Sequence, residues 1–240
     1  MNVTANNYND PILSMSIIIR KIILRGHVAL LFKELRKRLY SNNQYYIFRR
    51  DVTLPFTSQE TKCSLILRQL CEEDIPRLLN LDQPQLPDNE VLERIRRLRL
   101  LKSGIQTCYV AVTHNDIPVA MCWLIDASQN EKLQTFFNDG IPPLADDEIL
   151  LEGGYTIESY RGLGIQRWRV CELLRKAGQC KARWVFAYFR PTITATFQSL
   201  IRNGFEPYMI RNDKWRLFKR HLIYKPLSAE NLGPINHIKN

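Results

Sequence analysis

Gly153-Gly154-Tyr155-Thr156-Ile157-Glu158-Ser159-Tyr160-Arg161-Gly162-Leu163-Gly164-Ile165 is the most informative stretch of this 240-residue chain. A strand pattern near residues 148–157 runs into a tight Arg-Gly-x-Gly turn, and a helix pattern follows over about 165–178. Such a turn aims several backbone N–H groups and a helix N-terminus at one spot, which lets a chain hold phosphate without side-chain charge. Glycine matters there because a Cβ would keep the backbone away from the anion. The following helix is basic too: residues 161–183 hold seven Arg and Lys against Glu172 alone. A P-loop would need a following Gly-Lys-Ser/Thr and a dinucleotide fingerprint a third glycine; neither is present.

Outward from this stretch the pattern is mixed α/β. Downstream come a strand at 183–189, a helix at about 193–203, and strands at 205–210 and 215–224 that turn at Asn212-Asp213. Upstream, the body begins at Ser64 with a strand to Leu70. Glu72, Glu73 and Asp74 then open a helix, where acidic groups suit the positive end of the helix dipole. Asp88 caps a second helix that runs to Lys102 and ends at Gly104. Strands at 108–112 and 119–125 flank an Asn115-Asp116 turn, and an irregular segment with Phe136, Phe137 and Gly140 leads back to residue 148.

From Ser64 to about Pro226 the chain resembles the GNAT superfamily of acyl-CoA-dependent N-acyltransferases. The family signature is Arg/Gln-x-x-Gly-x-Gly/Ala after the fourth strand; Arg161 and Gly164 fit it, and Gln166 stands where the family prefers Gly or Ala. Further on, Arg190-Pro191-Thr192-Ile193-Thr194-Ala195-Thr196 followed by Asn203-Gly204-Phe205 is similar to a second family landmark. The resemblance implies a mixed, mostly antiparallel central sheet with flanking helices and with strands four and five splayed apart. It also implies acetyl-CoA as co-substrate, with Arg161, Gly162, Leu163, Gly164, Ile165 and Gln166 around the pyrophosphate. Tyr155, Thr156 and Ile157 would lie along the pantetheine arm.

The activity implied is acetyl transfer to a primary amine, small or glycan-linked, by direct attack of the amine on the thioester. Two alternatives stand beside it: a donor with a longer acyl chain or an acyl carrier protein, and a non-catalytic, membrane-associated scaffold of the same fold. The family often places a basic carboxylate on strand four, where Glu152 and Glu148 share a parity and Glu158 lies nearer the loop. Its usual acidic tyrosine, four residues before the Gly-Phe glycine, is replaced by Leu200, and its helix-start Asn by Ile193. Tyr208, Tyr155 and Tyr188 are the candidate replacements, with Tyr208 paired to Glu152 as the catalytic assignment.

The net charge of +10 is uneven, because residues 1–50 carry nine basic groups against Asp10 and Glu34. A helix pattern from Ile12 to about Tyr40 carries Lys33, Arg36, Lys37 and Arg38 late in its course, and residues 41–62 read as a linker. The expected layout is a helical extension with linker at 1–62, an acyltransferase domain at 63–227 and a tail at 228–240. The basic amphipathic helix either docks on the body or meets a membrane surface or an acidic carrier protein through residues 12–50. Nucleic acid is disfavoured because the segment holds no reading motif. Six cysteines without paired spacing and four scattered histidines point to no metal and to a cytoplasmic protein, peripheral to the membrane if the helix binds it. An apolar content of 45% excludes a disordered chain, and no 18-residue apolar span excludes a spanning helix.

Overall fold

A computed structural model describes residues 28–57, 60–190 and 194–227 of the chain. Helix α1 (Val28–Leu39) leads directly into strand β1 (Tyr40–Asp51). Then follow β2 (Leu65–Gln69), α2 (Asp74–Leu78), α3 (Asp88–Lys102), β3 (Cys108–Thr113), β4 (Pro118–Asp126) and α4 (Asn130–Phe137). The last part holds β5 (Glu148–Thr156), α5 (Ile165–Gln179), β6 (Trp184–Phe189), α6 (Thr194–Arg202), β7 (Glu206–Arg216) and β8 (Lys219–Pro226). The strands of the described residues form one sheet in the order β2-β3-β4-β5-β6-β1-β7-β8. Only β5 and β6 run parallel, and every other neighbouring pair is antiparallel.

Alternation along the strands fills two apolar layers. On one face Ile47, Val110, Trp123, Leu150 and Phe186 pack with Leu78 of α2, Val91, Ile95 and Leu98 of α3 and Leu133 of α4. On the other, Phe48, Leu151, Val185, Ala187 and Phe189 pack with Leu173 and Leu174 of α5 and Phe197 and Leu200 of α6. The sheet is thus covered on both sides by helices, as its central strands require: Tyr46, Ile47 and Phe48 are buried in succession.

Strand β1 corrects the expected layout. Residues 41–51 are no linker: they pair with β6 from Tyr46↔Phe189 to Asp51↔Trp184 and with β7 from Tyr40↔Arg216 to Arg49↔Glu206. A boundary at residue 62 would therefore cut through the middle of a single sheet. The helix expected from Ile12 to Tyr40 is present over Val28–Leu39, and its earlier part lies outside the described residues, as does the 228–240 tail.

Two further local readings are overturned by tertiary pairing. Asn212-Asp213 does not turn; both residues lie inside β7, opposite Gln44 and Asn43 of β1, and the hairpin turns instead at Leu217-Phe218. The irregular segment before β5 contains α4, which buries Leu133. All six cysteines are free thiols. Among the described residues no group of three or more His, Cys, Asp and Glu could hold a metal ion, and no helix is long and apolar enough to cross a membrane.

Candidate functional site

Strands β5 and β6 pair over only four rungs, from Glu148↔Trp184 to Leu151↔Ala187, and then part. Beyond that point β5 stays with β4, through Met121↔Tyr155 and Ala120↔Thr156, while Tyr188 and Phe189 stay with β1. The local cause is a bulge at Gly153, where the β4–β5 register slips between Met121 and Trp123. Gly153 has φ +66°, and a Cβ there would come within 2.6 Å of the buried Trp123 ring. The bend turns the end of β5 away from β6 and opens a wedge in the sheet.

Three arginines hold the bent strand by its carbonyls. Arg97 on α3 donates from Nε to Gly153 O (3.2 Å) and from Nη2 to Gly154 O (2.7 Å). Arg169 on α5 donates to Tyr155 O at 2.6 Å, and Arg161 Nε to Thr156 O at 3.0 Å. Behind them Glu90, buried on α3, accepts from the Tyr155 hydroxyl at 3.2 Å and pairs with Arg161 at 2.7 Å. Arg94 donates to the same hydroxyl at 3.0 Å. Burial pushes the Tyr155 phenol above its ordinary range, so it stays a neutral donor to Glu90, and burial lowers the Arg169 guanidinium. Such groups are retained inside because each finds a carbonyl or carboxylate.

The loop after β5 has the geometry that its sequence demands. A short 3-10 turn (Glu158–Tyr160) is followed by Gly162 at φ +78° and Gly164 at φ +81°, and α5 begins at Ile165. The N–H groups of Ile165, Gln166 and Arg167 then have no carbonyl within the helix to bond, and the helix dipole adds positive potential there. A Cβ on Gly162 would meet nothing within 4 Å, whereas one on Gly164 would lie 3.2 Å from Glu60 O. Residues 60–62 brace the loop from behind, with Lys62 N and Thr61 Oγ1 both donating to Leu163 O. Ile165 is buried against Ala111, Val119 and Ala120, and Gln166 Nε2 reaches Thr196 Oγ1 at the start of α6 (3.2 Å).

The expected site residues are thus divided. Arg161, Gly162, Leu163, Gly164, Ile165 and Gln166 form one loop at the wedge, reached directly from Thr156. The Ile157 N–H donates to Val119 O at 3.0 Å and is used within the sheet. Tyr155 turns its ring toward α3. Glu152 is half-buried, pairs with Trp123 and sits one residue past the last β5–β6 rung. Tyr208 does not join it: β6 and β1 lie between, roughly 14 Å of sheet at ordinary strand spacing. Its ring instead packs against Phe186 (5.7 Å between centroids) and under the Arg49 guanidinium (4.4 Å), at a level where β5 and β6 are still paired. Tyr188, passed over for Tyr208, stands at the opening. Burial pushes its phenol well above the ordinary range, and the Arg211 guanidinium lies 5.4 Å from its ring centroid. Arg211 Nε is buried without a hydrogen-bond partner among the described residues.

Glu90, Arg94, Arg97 and Arg169 belong to no motif and escape a reading of local pattern. The signal was their spacing: Glu90, Arg94 and Arg97 recur at i, i+4 and i+7 on one side of α3. Arg96 and Arg99, on the other side, are exposed.

No protein-family model matches the chain, and no curated protein matches it. Solved structures do. The GCN5-related glucosamine N-acetyltransferase region of a fungal multi-domain GH3 β-N-acetylglucosaminidase aligns with 78% of this chain and 22% of that one, at 11% identity and a TM-score of 0.51. A GNAT-family acetyltransferase from Colwellia psychrerythraea aligns with 78% of this chain and 62% of its own, at 10% identity and a TM-score of 0.49. A Drosophila protein aligns over 77% and 55% of the two chains, at 11% identity and a TM-score of 0.47. The match to the Drosophila chain therefore spans little more than half of its length. Identities this low speak to architecture alone. The sheet order from β2 to β6, the wedge between β5 and β6 and the fungal match agree, and the chain has the fold of the GCN5-related N-acetyltransferases.

Proposed function

We propose that this protein transfers an acetyl group from acetyl-CoA to a primary amine. The observation that carries this reading is the wedge between β5 and β6, opening beside a glycine-rich helix start whose N–H groups lack internal partners. The loop Arg161–Gln166 holds the pyrophosphate by its backbone, and the Arg161 side chain ties that loop to Glu90 and Thr156. The pantetheine arm enters the wedge along the end of β5, which brings the thioester to the level of Glu152 and Tyr188.

There the amine nitrogen attacks the thioester carbonyl, a C–N bond forms and the C–S bond breaks. Glu152 takes the amine proton, directly or through one water. Tyr188, at the opening just past the last β5–β6 rung, gives a proton to the departing thiolate. Arg211, whose Nε has no hydrogen-bond partner among the described residues, is the donor at hand for an acceptor oxygen. No covalent acyl-enzyme is needed, because holding the two substrates in register supplies most of the rate. The fungal region's name puts amino sugars first among acceptors to try.

Isothermal titration with acetyl-CoA tests the donor site: Gly164→Trp is expected to weaken binding strongly, and unchanged affinity would overturn the assignment. A panel of amines, assayed by released CoA thiol, then identifies the acceptor. Longer acyl-CoA and acyl-carrier donors in the same assay decide between the acetyl reading and a longer chain.

A further inference from the structure

We propose that the tip formed by the end of α1 and the β7–β8 turn docks this protein on an anionic bilayer surface. The turn is the first observation. Arg216 pairs with Lys219, so Leu217 and Phe218 alone make the reversal, and their φ values are +48° and +64°. Positive φ at both central residues is the type I′ hairpin, which glycine and asparagine adopt at little cost and bulky residues adopt under strain. This turn instead places a leucine and a phenylalanine in that strained backbone, and the two residues are 78% and 53% exposed. Neither folding propensity nor burial among the described residues explains that choice; an apolar contact beyond them does.

The second observation is independent of the turn. The end of α1 lies against it, with Leu217 N donating to Leu39 O (2.8 Å) and Phe218 N to Arg38 O (2.9 Å). Phe32, Leu35 and Leu39 recur on one side of that helix, and each is exposed, as is Tyr40 at 70%. Arg36, Arg38 and Lys219 are exposed beside them. The sequence just before α1 continues in kind, with Ile17, Ile18, Ile19, Arg20, Lys21, Ile22, Ile23, Leu24 and Arg25.

The chemistry selects the occupant. A second copy of this chain would bring two basic collars together, which like-charge repulsion opposes. The apolar groups crown a convex turn and a helix end, and a fluid interface accommodates such a shape without a preformed pocket. Apolar groups entering the headgroup region under a collar of Arg and Lys are the arrangement by which peripheral proteins hold anionic lipid.

Co-sedimentation of the full chain with phosphatidylcholine vesicles, with and without phosphatidylserine, tests the proposal. The chain should sediment with the phosphatidylserine vesicles, and less so as salt rises. Leu217→Asn/Phe218→Gly fits the turn and removes both apolar groups. It should weaken partitioning roughly tenfold or more while leaving the melting temperature equal or higher. Arg36→Glu/Arg38→Glu should remove the preference for phosphatidylserine. The proposal is overturned by no sedimentation with anionic vesicles, or by equal partitioning of the Asn-Gly variant. It is equally overturned if that variant melts lower, or if sedimentation velocity shows a dimer that the variant disperses.

Discussion

Glu152 and Tyr188 are the first residues beyond Leu151↔Ala187, the last rung that joins β5 to β6, and alternation sets both on the sheet face that carries Leu150 and Phe186. A carboxylate and a protonated phenol thus flank the point where the sheet opens. Neither strand alone creates this pairing; it follows from the Gly153 bulge on one strand and the hold of β1 on the other.

Glu152→Gln should lower kcat by about 10²–10⁴-fold with acetyl-CoA affinity retained, as expected for loss of a general base. Tyr188→Phe should lower kcat while Tyr208→Phe leaves it near wild type. Steady-state assay of thiol release checks both, and equal losses for the two tyrosine variants would remove Tyr188 from its assigned role.

Gly162→Ala separates the anion role of the loop from its folding. Its Cβ meets no protein atom, so the protein should stay folded at a cost of about 1 kcal/mol for the left-handed backbone. The Cβ would nonetheless stand where a phosphate approaches, and acetyl-CoA should bind at least about tenfold more weakly. Calorimetric titration beside a melting curve distinguishes the two effects.

Phe48→Ala tests whether β1 is part of the core. The ring is fully buried and meets Phe189 at 5.1 Å and Phe197 at 5.8 Å in edge contacts. Its loss should destabilise the protein by about 3–5 kcal/mol in chemical denaturation. A removable extension would show almost no change.

Asp74 gives a pH dependence with a fixed sign. Burial alone would raise its pKa, but the Arg68 guanidinium at 2.6 and 2.9 Å and the Cys71 N–H hold it below the ordinary 3.8. A depressed carboxylate stabilises the fold above its unfolded pKa, and that contribution is lost as pH falls from about 4 through the lower folded value. Asp74→Asn should cost about 1.5–3 kcal/mol at neutral pH and flatten the acid limb of the stability curve. An acid limb that matches wild type would count against the pairing.

Much of the local structure was legible. The glycine-rich loop announced a strand end and a helix start at residue 165, and α5 begins there. Asp88 to Lys102 was readable as a helix, and α3 has those bounds, although Pro87 takes the N-cap place and Asp88, expected to cap, is the first helical residue. Strand β1 was harder, because Ser41-Asn42-Asn43-Gln44 is polar and only Tyr45-Tyr46-Ile47-Phe48 signals a strand. The Asn212-Asp213 signal misled for a related reason. A ladder to β1 that runs continuously from Tyr40↔Arg216 to Ile47↔Met209 outweighs a local turn preference, and Asp213 is held inside by Arg220 at 2.6 Å.

By itself, then, the sequence determined the order of elements from Leu65 onward apart from α4 and the place of the last turn, and it determined the glycine turn at residues 161–166, since glycines and periodicity act within a few residues. The tertiary structure alone decided that β1 enters between β6 and β7, that Arg94, Arg97 and Arg169 face inward, and that Tyr188 rather than Tyr208 lies on the strand next to Glu152, just past the last β5–β6 rung. Those outcomes depend on partners as far apart in the chain as Tyr40 and Arg216, where pairing and burial are settled by the whole core and leave no local pattern to read.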